Sequence, residues 1–200
     1  YAVQGRLQRD IAWFNPAHED NYYIAAAILP WNGQLDAAQY VLHQASEART
    51  FDWYPLFQYG FLFYHFRKDP ATGAQWLLQA VPRVKTQQDE WALQNVAALW
   101  IEKGYQTANA AGMVEAMAAD SPPGAFRHYL QVRARRLRDL AALQNAVTLF
   151  RERHGRGVEK LQDLVSSGLL AELPKDPLGY GFGLDASGWP MLNTTPSSTK

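Results

Sequence analysis

The chain has 200 residues, 48% of them apolar and 19% charged, with 19 basic side chains balanced by 19 acidic ones. That is one domain, or one domain with a small appendage, and it is long enough to bury a core without covalent staples. Zero net charge gives no global field to draw DNA or anionic lipid, and the absence of cysteine excludes disulfides, thiolate metal sites and a cysteine nucleophile while leaving the redox compartment open. No apolar run approaches the roughly 18 residues a bilayer span needs, and no signal peptide is visible. The chain starts at Tyr1 without an initiator methionine, which implies that a tag, a signal peptide or an anchor helix has been removed upstream.

In chain order, residues 2–14 read as a helix, with Val3, Leu7, Ile11 and Phe14 at helical spacing and Pro16 marking its end. Two helices follow, at 21–29 and 34–49, joined by Pro30, Trp31, Asn32 and Gly33. A second pair is expected at 54–66 and 74–81 around the turn RKDPATG. A third is expected at 90–103 and 107–119 around Gly104, and SPPG at 121–124 closes the series. The small residues Ala26, Gly60 and Ala97 recur at spacings of 34 and 37, and Gly33 and Gly104 are 71 apart. A small residue lets a paired helix approach closely, and a turn glycine supplies positive φ. Two helices per period near 34 point to a helical repeat array.

Residues 21–120 resemble tetratricopeptide repeats. Ala26, Leu29, Gly33, Leu35, Ala38, Leu42 and Ala45 fall where that family places its packing residues, and Ala97, Trp100, Gly104, Met113 and Ala116 follow the same order. The middle unit has Gly60 and Phe63, but RKDPATG is about two residues too long and its second helix is short before Pro82. The closing proline of the first unit is missing.

Beyond SPPG the texture changes. Residues 126–154 form one long helical pattern with Leu130, Leu137, Leu140, Ala141, Val147 and Phe150 on the buried side, a helix able to cap an open array. A short helix at 158–165, a leucine-rich turn and a hairpin of GFGLD and WPML around ASG come next, then the polar tail TTPSSTK. Leu164, Val165, Gly168, Leu173, Pro174, Lys175, Asp176, Pro177 and Gly179 make residues 143–192 resemble the C-terminal region of major pseudopilins of type II secretion. No pilin stem precedes them and no aspartate-rich calcium loop follows, so the resemblance implies a local fold and a bacterial envelope setting, without pilus polymerisation or a metal site.

Catalytic constellations are thin. His18, His43, His65, His128 and His154 form no metal-ligand spacing, and no GxSxG, P-loop or dinucleotide fingerprint occurs. His18, Glu19 and Asp20 read as a capping segment, Asp89 and Glu90 as charges favoured at a helix N-terminus. GYGFG at 179–183 has the wrong order for a phosphate cradle. Residues 124–160 hold nine basic side chains against three acidic ones, but they lie on the polar side of an amphipathic helix without interleaved aromatics, the pattern of a solvated face.

The outlying stretch is FDWYPLFQYGFLFYHF, residues 51–66, with nine aromatic residues. On a helix, Leu56, Tyr59, Gly60 and Phe63 form one stripe, which carries the repeat-packing positions. Tyr54, Phe57, Phe61 and Tyr64 form another. The tetratricopeptide resemblance implies that this second stripe lines a concave groove together with Tyr23, Trp31 and Trp91. The groove is either filled by the protein's own N-terminal helix or C-terminal block, open to an outside or self-associating partner, or a carbohydrate or small-ligand site.

The expected fold class is mainly α: a tetratricopeptide-like α-solenoid of about three helix pairs, a long capping helix and a small α+β C-terminal tail, with domains at 1–124 and 125–200. The expected function is a non-enzymatic protein–protein interaction scaffold in a bacterial envelope assembly, on the periplasmic side. Tyr23, Trp31, Tyr54, Phe57, Phe61, Tyr64 and Trp91 anchor an apolar helix or extended segment. The alternative is a self-assembling subunit whose groove its own or a neighbouring chain fills. No cofactor, metal or nucleic acid is expected. The partner is a protein or peptide segment, another copy of the chain included, and membrane contact is expected only through a segment upstream of Tyr1.

Overall fold

The computed structural model describes residues 2–194, so the polar tail expected at 194–200 lies outside the described residues except for Thr194. The chain is mainly α, with one two-stranded antiparallel sheet near its C-terminus. It divides into two compact units, residues 1–105 and 106–200. Among the described residues no helix is long and apolar enough to cross a membrane.

The first unit contains α1 (Ala2–Phe14), α2 (Glu19–Ile28), α3 (Leu35–Ala48), α4 (Tyr54–Leu62), α5 (Pro70–Ala80) and α6 (Gln87–Gly104). From α2 onward each helix packs on the next, and α1 lies against α3 and α2. This is a helical array. Tyr22, Leu29, Leu42 and Leu62 are fully buried in its first half, each aliphatic one contributing roughly 1.5–3 kcal/mol by removal from water.

Local chemistry fixes the joints. A 3₁₀ turn over Pro30–Asn32 ends at Gly33, whose φ of +75° suits a residue without Cβ. The expected long turn RKDPATG is only Lys68 and Asp69. Asp69 accepts a hydrogen bond from the Thr72 N–H at 3.0 Å, and Pro70 opens α5, where a missing N–H costs nothing. α5 therefore begins four residues before the expected position. Before it, Phe63–Arg67 winds as a π-helical turn. Thr86 caps α6 through the Asp89 N–H at 3.1 Å.

Two glycines allow α4 and α5 to cross almost in contact. A Cβ on Gly60 would lie 2.8 Å from the Gly73 carbonyl oxygen, and one on Gly73 would lie 2.9 Å from that of Gly60. Gly104 has a different reason from the one expected: φ is not positive there, but a Cβ would overlap the Ala71 backbone at the start of α5.

The second unit contains α7 (Thr107–Asp120), α8 (Ala125–His154), α9 (Gln162–Ser166), β1 (Phe182–Leu184) and β2 (Pro190–Leu192). The expected third helix pair is divided between the units, for α6 packs on α5 while α7 packs along α8. Gly155, at φ +66°, ends α8. Leu143, Val147 and Phe150 of α8 form a core with Val158 and Leu164, covered by Leu170, Phe182 and Trp189. β1 and β2 pair with Phe182 opposite Leu192 and Leu184 opposite Pro190. Both are edge strands, so Pro190 interrupts no second ladder. The LPKDP turn is tied to α8: Asp176 accepts from the Arg136 guanidinium at 2.9 Å and from the Gly181 N–H at 2.7 Å, and Arg136 also donates to the Asn193 carbonyl at 2.8 Å.

Candidate functional site

The seven aromatic positions all lie in the first unit, and the structure sorts them into groups. Tyr23 of α2 stands 4.7 Å from Tyr54 of α4, ring centre to ring centre, and Tyr54 meets Phe57 at 6.4 Å. Trp53, not singled out from the sequence, joins both from the start of α4, at 5.7 and 5.8 Å. Trp31 forms a second group, edge-on to Phe66 at 4.8 Å and tilted over His65 at 5.4 Å, while Phe61 stacks flat on His65 at 5.2 Å. Tyr64 belongs to a third place. It stacks on Trp100 of α6 at 4.6 Å, and its hydroxyl accepts from Lys103 Nζ at 2.8 Å. Trp91 is half-buried on α6.

Exposure separates them further. Tyr23 is 42% exposed and Trp31 61%, whereas Tyr54, Phe57, Phe61 and Tyr64 are half-buried. Ile24 extends the uncovered apolar surface on α2. The other stripe of α4 is used internally: Tyr59 packs edge-on against Trp76 of α5 at 4.8 Å and against Phe63 at 5.3 Å.

A polar network beneath the first group holds it in place. Asp52 accepts from the Tyr22 hydroxyl at 2.7 Å, from Arg49 Nε at 3.0 Å and from the Tyr54 N–H at 3.0 Å. The last bond fixes the first turn of α4 and with it the Tyr54 ring. Arg83 donates to the Ser46 carbonyl at 2.9 Å, closing the α3 end over the same loop. Burial pushes the Asp52 carboxyl up, but the hydrogen bonds from Tyr22, Tyr54 and Arg49 outweigh it and hold the group below its ordinary value. Burial, then the hydrogen bond to Asp52, pushes the Tyr22 hydroxyl well above the tyrosine range. The sequence carried a signal for this network, an aspartate two residues before a helix that opens Tyr–Pro.

Beside Tyr23 and Trp53 an open cavity of 450 Å³ is walled by Phe51, Arg49, Lys85 and Asp89. Arg49 lies over the Phe51 ring at 5.0 Å and over Tyr22 at 5.5 Å. The site thus offers rings and a polar rim. Among the described residues no cluster of three histidine or carboxylate side chains could hold a metal ion.

Fold and site together define a helical-array protein with a partly uncovered aromatic face. Comparison with known proteins finds no matching family model, no similar curated protein and no similar solved structure.

Proposed function

We propose that this chain is a non-enzymatic scaffold that holds an apolar helix or an extended protein segment on the aromatic face of α2 and α4. The observation that carries this reading is Trp31. It is fixed edge-on to Phe66 yet 61% exposed. A large ring that is already immobilised loses little entropy when a partner covers it, which is what makes aromatic side chains effective anchors. Tyr23 offers the same at the other end of α2. The π-helical turn at Phe63–Arg67 places His65 and Phe66 under Trp31, and such turns concentrate at functional sites.

Two finer readings support the setting. The pairs α2–α3 and α4–α5, with Gly33 at one turn and Gly60 at one crossing, have the order of tetratricopeptide units. In the second unit α8, Gly155, α9, Gly168, the LPKDP turn and the hairpin follow the order of a pseudopilin C-terminal region. On that resemblance the scaffold acts in a bacterial envelope assembly, on the periplasmic side.

The test is a display selection of random peptides against the immobilised chain. Enriched peptides should carry aromatic or aliphatic residues at helical or alternate spacing. Replacing Trp31 by serine, or Tyr23 by serine, should weaken the best of them by at least about 10-fold, the usual loss for a central ring. Peptides indifferent to both substitutions, or no enrichment over a scrambled library, would falsify the proposal.

A further inference from the structure

Helix α1 is inside out. Its buried face consists of Gly5, Gln8 and Ala12, two small residues and an amide, because the helix lies tightly against α3. A Cβ on Gly5 would run into the Gln34 side chain and Ala37. The large apolar residues point the other way. Val3 is 71% exposed, Leu7 57%, Trp13 69% and Phe14 79%. Single exposed apolar residues need no explanation, but four on one short helix mark an interaction surface. At helical pitch Val3, Leu7, Asp10 and Phe14 fall on one stripe, with Arg6 and Trp13 along one flank and Ile11 along the other.

We propose that this stripe is the contact between two copies of the chain, formed by an antiparallel pair of α1 helices about a twofold axis. Two observations select a second copy as the occupant. The stripe's spacing is palindromic, four residues, then three, then four. Reversed, it maps onto itself, so a twofold sets Val3 opposite Phe14 of the second copy and Leu7 opposite Asp10 of the second copy.

The second observation is charge. Asp10 lies in the middle of the apolar stripe, and among the described residues no ion pair or hydrogen bond engages it or Arg6. A lipid surface offers a carboxylate at that position no compensation. In the antiparallel pair the flanks carrying Arg6 meet. Arg6 then stands about one helical rise, ~1.5 Å, from the level of Asp10 on the second copy. Two Arg6–Asp10 ion pairs close across the axis, and Trp13 comes beside the guanidinium of Arg6 on the second copy, a favourable cation–π geometry.

A helix of 13 residues is about 20 Å long, so the interface is at the low end of specific sizes and the association is weak. The seven aromatic positions of the proposed partner face lie outside α1, and the two proposals stand or fall separately.

The experiment is sedimentation equilibrium of the full chain from about 1 µM to about 1 mM, spanning the range expected for a weak interface. The mass should rise from 22.6 kDa toward twice that value. Leu7→Ser and Phe14→Ser should each weaken association by at least about 10-fold, and Asp10→Arg likewise, by placing four arginines around the axis. The exchange Arg6→Asp with Asp10→Arg should restore it to within about 3-fold of the parent, because opposite charges again face each other. Circular dichroism of each variant checks that α1 stays folded, as exposed positions allow. A monomer throughout the range overturns the proposal, as does self-association that none of these changes affects. A monomer that sediments with phosphatidylcholine–phosphatidylglycerol vesicles through Leu7 and Phe14 overturns it in favour of a lipid surface.

Discussion

At the scale of single residues, Asp52 has the widest reach in the first unit. One carboxylate meets the Tyr22 hydroxyl, the Arg49 guanidinium and the first turn of α4, and its side chain is only 15% exposed. Truncation leaves the buried Tyr22 hydroxyl without its acceptor and frees the first turn of α4. Asp52→Ala should therefore cost about 2–4 kcal/mol in urea unfolding. The pH dependence follows from the same bonds. The folded carboxyl is held below its ordinary value of 3.8, so its stabilisation is present above that value and is lost as pH falls through the folded one. For Tyr22 the sign is reversed. Its hydroxyl is raised above 10.0, so the stabilisation is present below that value and is lost only as pH rises beyond it, toward the folded value. Tyr22→Phe removes the Tyr22 share of the alkaline limb, leaving that of the half-buried Tyr59 hydroxyl, and takes one donor from Asp52, which moves the acid limb upward. Unfolding curves at several pH values between about 2 and 5 should show that upward shift, and unchanged curves would mean Asp52 draws its stabilisation from Arg49 and Tyr54 alone.

At the scale of elements, glycine substitutions should divide by cause. Gly60→Ala puts a methyl 2.8 Å from the Gly73 carbonyl oxygen, backbone that cannot give way without separating α4 from α5. We expect about 2–3 kcal/mol of destabilisation, the scale of overpacking a tight interface. Gly33→Ala meets no atom within 4 Å, but φ of +75° strains it by about 1 kcal/mol. Gly112, inside α7, is exposed with nothing within 4 Å of a Cβ, so alanine there should stabilise by about 0.5–1 kcal/mol through helix propensity. Thermal melts of the three variants check the order: a large loss, a small loss and a gain. The spacing of Ala26, Gly60 and Ala97 made the close crossing of α4 and α5 legible in the sequence. It did not make the start of α5 legible, because Asp69–Pro70 reads equally well as a turn or as a cap followed by the first helical residue.

At the scale of the molecule, periodicity located the helices, and Tyr54, Phe57, Phe61 and Tyr64 could be placed on a single stripe. Their division into separate groups could not be read that way. Whether Tyr64 meets Tyr54 or Trp100 depends on how α4 and α6 are spaced, which no local pattern encodes. The outward turn of Val3, Leu7 and Phe14 was equally hidden: an apolar stripe predicts the buried face, and α1 buries Gly5 and Ala12 instead. The strongest packing of α7 was hidden in the same way: it lies along α8, the long helix that follows it. That arrangement makes the second unit testable as a separate folding body. Its core of Leu143, Val147, Phe150 and Leu164 is closed by its own hairpin and turn, and Arg136 fastens that turn to α8 through Asp176, whose side chain is 1% exposed. A fragment of residues 106–200 should melt cooperatively, as a unit with its own core does. In that fragment Arg136→Ala should cost about 3–5 kcal/mol, because a buried carboxylate is left without its cation. Removing the carboxylate as well, with Asp176→Ala, should not restore the loss. Asp176 also accepts from the Leu178 and Gly181 N–H groups, and the turn they shape comes apart without it. A double variant as stable as the parent fragment would show that the ion pair is dispensable and that apolar packing alone holds the hairpin to α8.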